Sequence, residues 1–217
     1  SQRMVFTDTQ FQIAIRDRII HELRIAFALA AKVHESQKRK GTSIPYISHP
    51  MAVASQVLVW GGTEDQFIAA ILHDVLEDGG VEYAESIEAD FGPNVLRIVK
   101  ALSDALPKAG EKKKPWVERK TEYLAHLAQA DDEVLLVSAA DKWHNLTSIR
   151  DDQRKVGDEV FRRFVGSTPV MEEKKRLTLW YYREVVRIYL ERGVAGADAL
   201  ERLLREVEDD AAPELRA

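Results

Sequence analysis

The 217-residue chain has no cysteine. That excludes disulfides, thiolate nucleophiles and thiolate metal sites, and it fits a reducing cytoplasm. No apolar run approaches the roughly 20 residues of a membrane span, and the opening Ser1-Gln2-Arg3-Met4 has no apolar signal-peptide core. Positive charge is not in excess: 31 Lys and Arg stand against 36 Asp and Glu, a net charge of −5. No overall field therefore attracts nucleic acid or an anionic membrane, and an anionic ligand needs a local basic patch. The sequence also lacks a Gly-rich phosphate loop, a Ser or Cys nucleophile motif, internal repeats and low-complexity linkers. Hydrophobic residues at 45% and charged residues at 31% are ordinary globular values. The expectation is a cytoplasmic globular protein with no nucleic-acid or membrane partner; the bulk numbers leave its oligomeric state open.

What is present reads almost entirely as helix. Residues 9–36 carry Phe11, Ile15, Ile19, Leu23, Ala26, Phe27 and Ala30 at spacings of three and four, with Ile20, Ile25 and Leu29 widening the stripe. A loop over 37–50 follows, held out of helix by Gly41 and Pro45, with three successive cations at Lys38, Arg39 and Lys40. His49 is expected to start a short helix with Pro50 in its first position. Further helices are expected over 81–90, 93–106, 116–129 and 132–150. Residues 151–165 read as charged and peripheral, Thr168-Pro169 as a helix start, and Leu200, Leu203, Leu204 and Val207 as the stripe of a last amphipathic helix.

The stretch Ile68–Asp78 is the organising one. A capping box at Thr63-Glu64-Asp65-Gln66 opens it and Gly79-Gly80 closes it. Read as one helix, it puts His73, Asp74, Glu77 and Asp78 within an arc of about 140° and its apolar residues on the complementary arc. Three carboxylates that close repel one another unless a cation sits among them. In the last turns of a helix they would also face an unfavourable dipole. A second cluster follows the apolar run Val134–Ala140, where Asp141, Asn145 and Ser148 share a face.

Four candidate ligands result: His49, His73, Asp74 and Asp141. Two imidazoles and two carboxylates suit a divalent ion such as Mn, Fe, Co or Zn. Such an ion lowers the pKa of water and polarises a phosphoryl oxygen. Glu77 and Asp78 are left beside it to accept or return a proton. The chemistry invited is metal-assisted hydrolysis of a phosphate ester.

His49, then His73-Asp74, then Asp141, in that order, resemble the metal-binding pattern of HD-domain phosphohydrolases. The longer His73-Asp74-x-x-Glu77-Asp78 form lies between Pro45-Tyr46-Ile47-Ser48-His49-Pro50 and Asp141-Lys142-x-x-Asn145-Leu146. That set is similar to the hydrolase domain of RelA/SpoT-type enzymes, in particular to stand-alone small alarmone hydrolases. The resemblance implies an all-α HD-domain bundle with a single metal site, its hydrolase domain at 26–193. Residues 1–25 would pack on the core, and 194–217 would form a C-terminal helix and tail. It implies Mn²⁺-dependent removal of the 3′-pyrophosphate from ppGpp and pppGpp, releasing GDP or GTP. The alternative is another nucleotide substrate, such as the adenine alarmone ppApp. By the same resemblance His49, His73, Asp74 and Asp141 hold the metal, and Glu77 and Asp78 activate and position the attacking water. Arg39, Lys40, Asn145 and Ser148 contact the nucleotide. Lys108, or one of Lys112 to Lys114, would supply a phosphate contact that the region 103–116 does not align cleanly enough to assign.

Overall fold

The computed structural model describes residues 7–104, 106 and 110–211, without the side chains of residues 11, 12, 14–16 and 18. Phe11, Ile15 and Lys108 of the sequence reading, and the chain's first four residues, therefore lie outside the description. Every regular element among the described residues is helical, and the only extended pairing is an isolated bridge between Lys38 and Pro45. None of these helices is long and apolar enough to cross a membrane.

Helix α1 (Asp8–Val33) opens on a capping box between Thr7 and Gln10. Its Ala26 and Ala30 are fully buried, whereas Ile20 stays exposed outside the stripe. Helix α2 spans Ser48–Val59. It starts one residue before His49, so Pro50 is third rather than first. Its missing N–H still falls among the donors that a first turn leaves unpaired. The expected capping box at Thr63 and Gln66 starts α3 (Glu64–Leu72).

The anticipated single acidic helix is broken. His73 closes α3, Asp74 sits at φ −101° and ψ 1°, and a new five-residue turn, α4 (Val75–Gly79), begins after it. Glu77 and Asp78 thus lie in the first turn of a short helix, and the unfavourable-dipole argument does not apply. Gly80, at φ +120°, ends that turn. Helices α5 (Tyr83–Phe91) and α6 (Pro93–Leu102) follow, α6 with proline at its start. Helix α7 covers Trp116–Gln129, the bounds expected from the sequence.

Helix α8 (Asp132–Val156) runs on past the expected end at Arg150 to Val156 and is capped by Asp131. It packs against α2, α3 and α6 on one side and against α9 (Met171–Glu191) and α10 (Ala197–Asp210) on the other. Val134, Val137 and Ala140 belong to an apolar cluster built with α1–α6. Leu135, Ala139, Leu146 and Ile149 belong to a second one built with α7, α9 and α10.

The segment after α8 is not peripheral. It forms a 3₁₀ helix, Gly157–Arg163, whose Val160 and Phe161 are fully buried. The fully buried Lys175 of α9 reaches Asp158 of this segment at 2.6 Å. The charges conceal two core side chains. Thr168 does not cap α9 directly. Its hydroxyl accepts from the Val170 N–H at 3.2 Å in a turn preceding the helix, which displaces the start to Met171.

Candidate metal centre and active site

Residues from three separate elements converge beside α8. His49 Nε2 lies 3.2 Å from His73 Nε2 and 2.9 Å from Asp141 Oδ1. Asp74 Oδ2 lies 3.1 Å from His73 Nε2 and 3.7 Å from His49 Nε2. The ligand atoms of His49, His73 and Asp141 all fall within 4.8 Å of one another. Donors held about 2.1 Å from one ion at right angles stand about 3 Å apart, so this set fits a divalent cation. Both imidazoles are buried.

The surroundings orient these donors. His73 Nδ1 donates to the Ala70 carbonyl at 2.6 Å, which turns Nε2 inward toward the other donors. His49 Nδ1 meets His144 Nδ1 at 2.7 Å, the two rings stacked with centroids 5.0 Å apart. Burial and the neighbouring His49 hold His144 down at about 4, so it is neutral and able to accept that proton. Tyr46 donates its hydroxyl to Asp74 Oδ2 at 2.5 Å. Burial and the Asp74 charge raise the Tyr46 pKa, which keeps the phenol a donor.

The carboxylates divide into two kinds. Burial works against ionising Asp141, but Lys142, whose Nζ is 2.5 Å from Asp141 Oδ2, outweighs it and keeps the pKa well below the ordinary range. Burial also opposes ionising Asp74, where His73 prevails and lowers it. Glu77 goes the other way. Burial and the charge on Asp74 push it up to about 7, against the Asp104 backbone N–H, which donates to it, and against Lys120. Asp78 is raised by burial and by Asp74, and it accepts from Gln37 at 3.0 Å.

Two cavities open here. One, of about 150 Å³, contains the His/Asp cluster with Glu77 and Asp104. The other, of about 250 Å³, is lined by Arg39, Lys40, Asn145 and Ser148 among others. Tyr46, Lys120, Lys142, Asn145 and Tyr181 line both, so the two are one cleft. Nine of the ten residues given metal, catalytic or nucleotide roles above line it; Asp78 lines neither cavity and is held by Gln37. Arg39 bridges the loop to α8 through a 3.1 Å bond to Asn145 Oδ1, and Asn145 in turn donates to Asp141 Oδ1 at 3.1 Å. Ser148 donates to the His144 carbonyl at 3.0 Å.

Sequence reasoning gave no role to Lys120, Lys142, Asp104 or Tyr46, although Tyr46 and Lys142 stand inside the motifs that carry the resemblance. Lys120 Nζ reaches Asp104 Oδ2 at 3.0 Å and lies 5.0 Å from the Tyr181 ring centroid. Lys142 is buried between Asp141 and the rings of Tyr123 and Tyr181. A lysine one residue after the acid that ends an apolar run was the available signal for Lys142. Lys112 to Lys114 line neither cavity, and Lys114 instead pairs with Glu122 at 2.6 Å.

Comparison with known proteins points the same way. The HD domain family model matches residues 26–165. Guanosine-3′,5′-bis(diphosphate) 3′-pyrophosphohydrolase MESH1 of Xenopus tropicalis is 36% identical over 124 residues, 56% of this chain and 65% of that protein. The bifunctional (p)ppGpp synthase/hydrolase SpoT of Escherichia coli is 36% identical over 141 residues, 63% of this chain but 20% of its own length. The chain thus spans less than two thirds of either relative. A solved metazoan ortholog of SpoT, which hydrolyzes ppGpp and plays a role in starvation responses, superposes with a TM-score of 0.64 at 25% identity. That match covers 86% of this chain and 93% of the other. With its all-helical architecture, its converging histidines and aspartates and this family match, the chain belongs to the HD-domain family.

Proposed function

We propose that the protein is a Mn²⁺-dependent hydrolase that removes the 3′-pyrophosphate from ppGpp and pppGpp. The observation that carries this reading is the continuous cleft, which joins a divalent-cation donor set to basic walls through Lys120 and Lys142. The named activities of the MESH1 and SpoT relatives supply the substrate class. His49, His73, Asp74 and Asp141 hold the ion, which when bound supplies the Lewis-acid charge that acidifies water and polarises a phosphoryl oxygen. Glu77, poised at about 7, accepts the proton of the attacking water. Asp78, held by Gln37, helps to position that water.

Lys120 and Lys142 face the pyrophosphate and offset the negative charge that grows on its oxygens. Arg39, whose guanidinium lies 5.8 Å from the Tyr46 ring centroid, offers a flat face to the base. Lys40, Asn145 and Ser148 border the nucleoside. The catalytic unit is the segment 26–193, flanked by the start of α1 and by α10, and it works in the cytoplasm.

The test is pyrophosphate release from ppGpp with added Mn²⁺. Wild-type protein turns over and Asp74→Ala does not. Full activity in Asp74→Ala, or in chelator-treated protein, refutes the reading.

A further inference from the structure

The far end of the cleft holds a carboxylate that the hydrolytic chemistry does not use. Asp152 sits on α8, and at about 100° per residue Asp141, Asn145, Ser148 and Asp152 fall within an arc of about 60°. One helix face therefore carries, turn by turn, a metal-centre aspartate, two residues bordering the nucleoside and then Asp152. At about 1.5 Å per residue the last lies about 16 Å along the axis from the first. A nucleotide with its 3′-phosphates at the metal centre, extended along this face, brings its base toward Asp152.

Asp152 is fixed in place. Arg163, from the 3₁₀ helix, donates from Nη1 to Asp152 Oδ2 at 2.5 Å. The Arg163 side chain lies directly over Gly41, where an added Cβ would come within 2.6 Å of Nε. Gly41 follows Arg39 and Lys40 and has φ +71°, so the loop that bears the basic pair is packed against the arginine that holds Asp152. Both Asp152 and Arg163 line the larger cavity. Their side chains keep 25% and 21% of their surface exposed, enough to meet a ligand.

We propose that Asp152, positioned by Arg163, reads the hydrogen-bonding edge of the purine and selects guanine. The ring N–H and 2-amino group of guanine are adjacent donors, which suit a carboxylate that only accepts. The guanine O6 acceptor suits the remaining N–H groups of Arg163. Adenine presents a lone pair where guanine has the ring N–H, and that lone pair faces the carboxylate unfavourably. This inference rests on the hydrolase reading and supplies its base preference.

The experiment compares kcat and KM for pyrophosphate release from guanosine and adenosine 3′,5′-bis(diphosphates) with Mn²⁺, using wild-type protein, Asp152→Asn and Arg163→Lys. Wild type prefers guanine. Asp152→Asn lowers the guanine-to-adenine ratio of kcat/KM about 10- to 100-fold, the loss lying in KM for the guanine substrate. Arg163→Lys, which keeps the charge but not the planar fork, lowers the ratio by less. If Asp152→Asn melts early, Asp152→Ser reads the same ratio. A wild type indifferent to the base, or a variant that loses both substrates by the same factor, overturns the assignment and leaves the hydrolase reading intact. Release from neither substrate by wild type overturns both.

Discussion

Glu77→Gln should make the metal-free protein more stable and inactive at once. The raised pKa means that ionised Glu77 is unfavourable in the fold, chiefly through burial and then through Asp74. A carboxyl raised from 4.5 to about 7 contributes stability below about pH 4.5 that is lost as pH climbs through 7. At pH 8 the full shift corresponds to about 3 kcal/mol, an upper figure because the carboxylate has a partly solvated edge. Glutamine keeps an oxygen for the Asp104 N–H and carries no charge. For a chain of this size about 3 kcal/mol is a rise in Tm of roughly 6–12 °C. Thermal melts of chelated wild type and variant at pH 5 and pH 8 should show a large gain at pH 8 and a much smaller one at pH 5. Added Mn²⁺ should narrow the gap, since a cation beside Asp74 offsets the repulsion that Glu77 feels. A variant destabilised at pH 8, or stabilised equally at both pH values, would refute the electrostatic account of Glu77.

Two further outcomes are expected. Tyr46→Phe removes the donor that fixes Asp74, so the Mn²⁺ Kd from calorimetric titration should weaken about 10- to 100-fold, and an unchanged Kd would show that the phenol is idle. Gly196→Ala places a methyl 2.3 Å from the Trp60 ring at a residue with φ +83°. It should cost at least about 2 kcal/mol in chemical denaturation while leaving KM unaltered, because α10 borders neither cavity.

The sequence carried the helices and the converging histidines and aspartates further than it carried their surroundings. The helix expected over 116–129 matches α7 to the residue, and the glycines at 79 and 80 marked a true end. The break at His73-Asp74 was invisible to periodicity. A helical wheel accepts those two residues, and the kink coincides with both side chains turning to face His49 and Asp141. The segment 157–163 misled because its two core residues, Val160 and Phe161, are adjacent and outnumbered by charges. Lys142 and Lys120 drew no role because nothing in their spacing sets them apart from the many lysines that stay solvated. Their burial depends on Asp141, Asp104 and Tyr181 arriving from elsewhere in the chain.

Helix α8 lies between two separate apolar clusters, and the cleft straddles that seam. Glu77 and the histidines ride with α2–α4, whereas Lys120 and Tyr181 ride with α7 and α9. A slight shear between the halves would leave the helices intact, yet would pull Glu77, the proposed proton acceptor, away from the lysines proposed to steady the departing group. Heating should therefore silence turnover before any spectroscopic sign of melting, and a ligand that staples the halves together should protect catalysis more than it protects the fold.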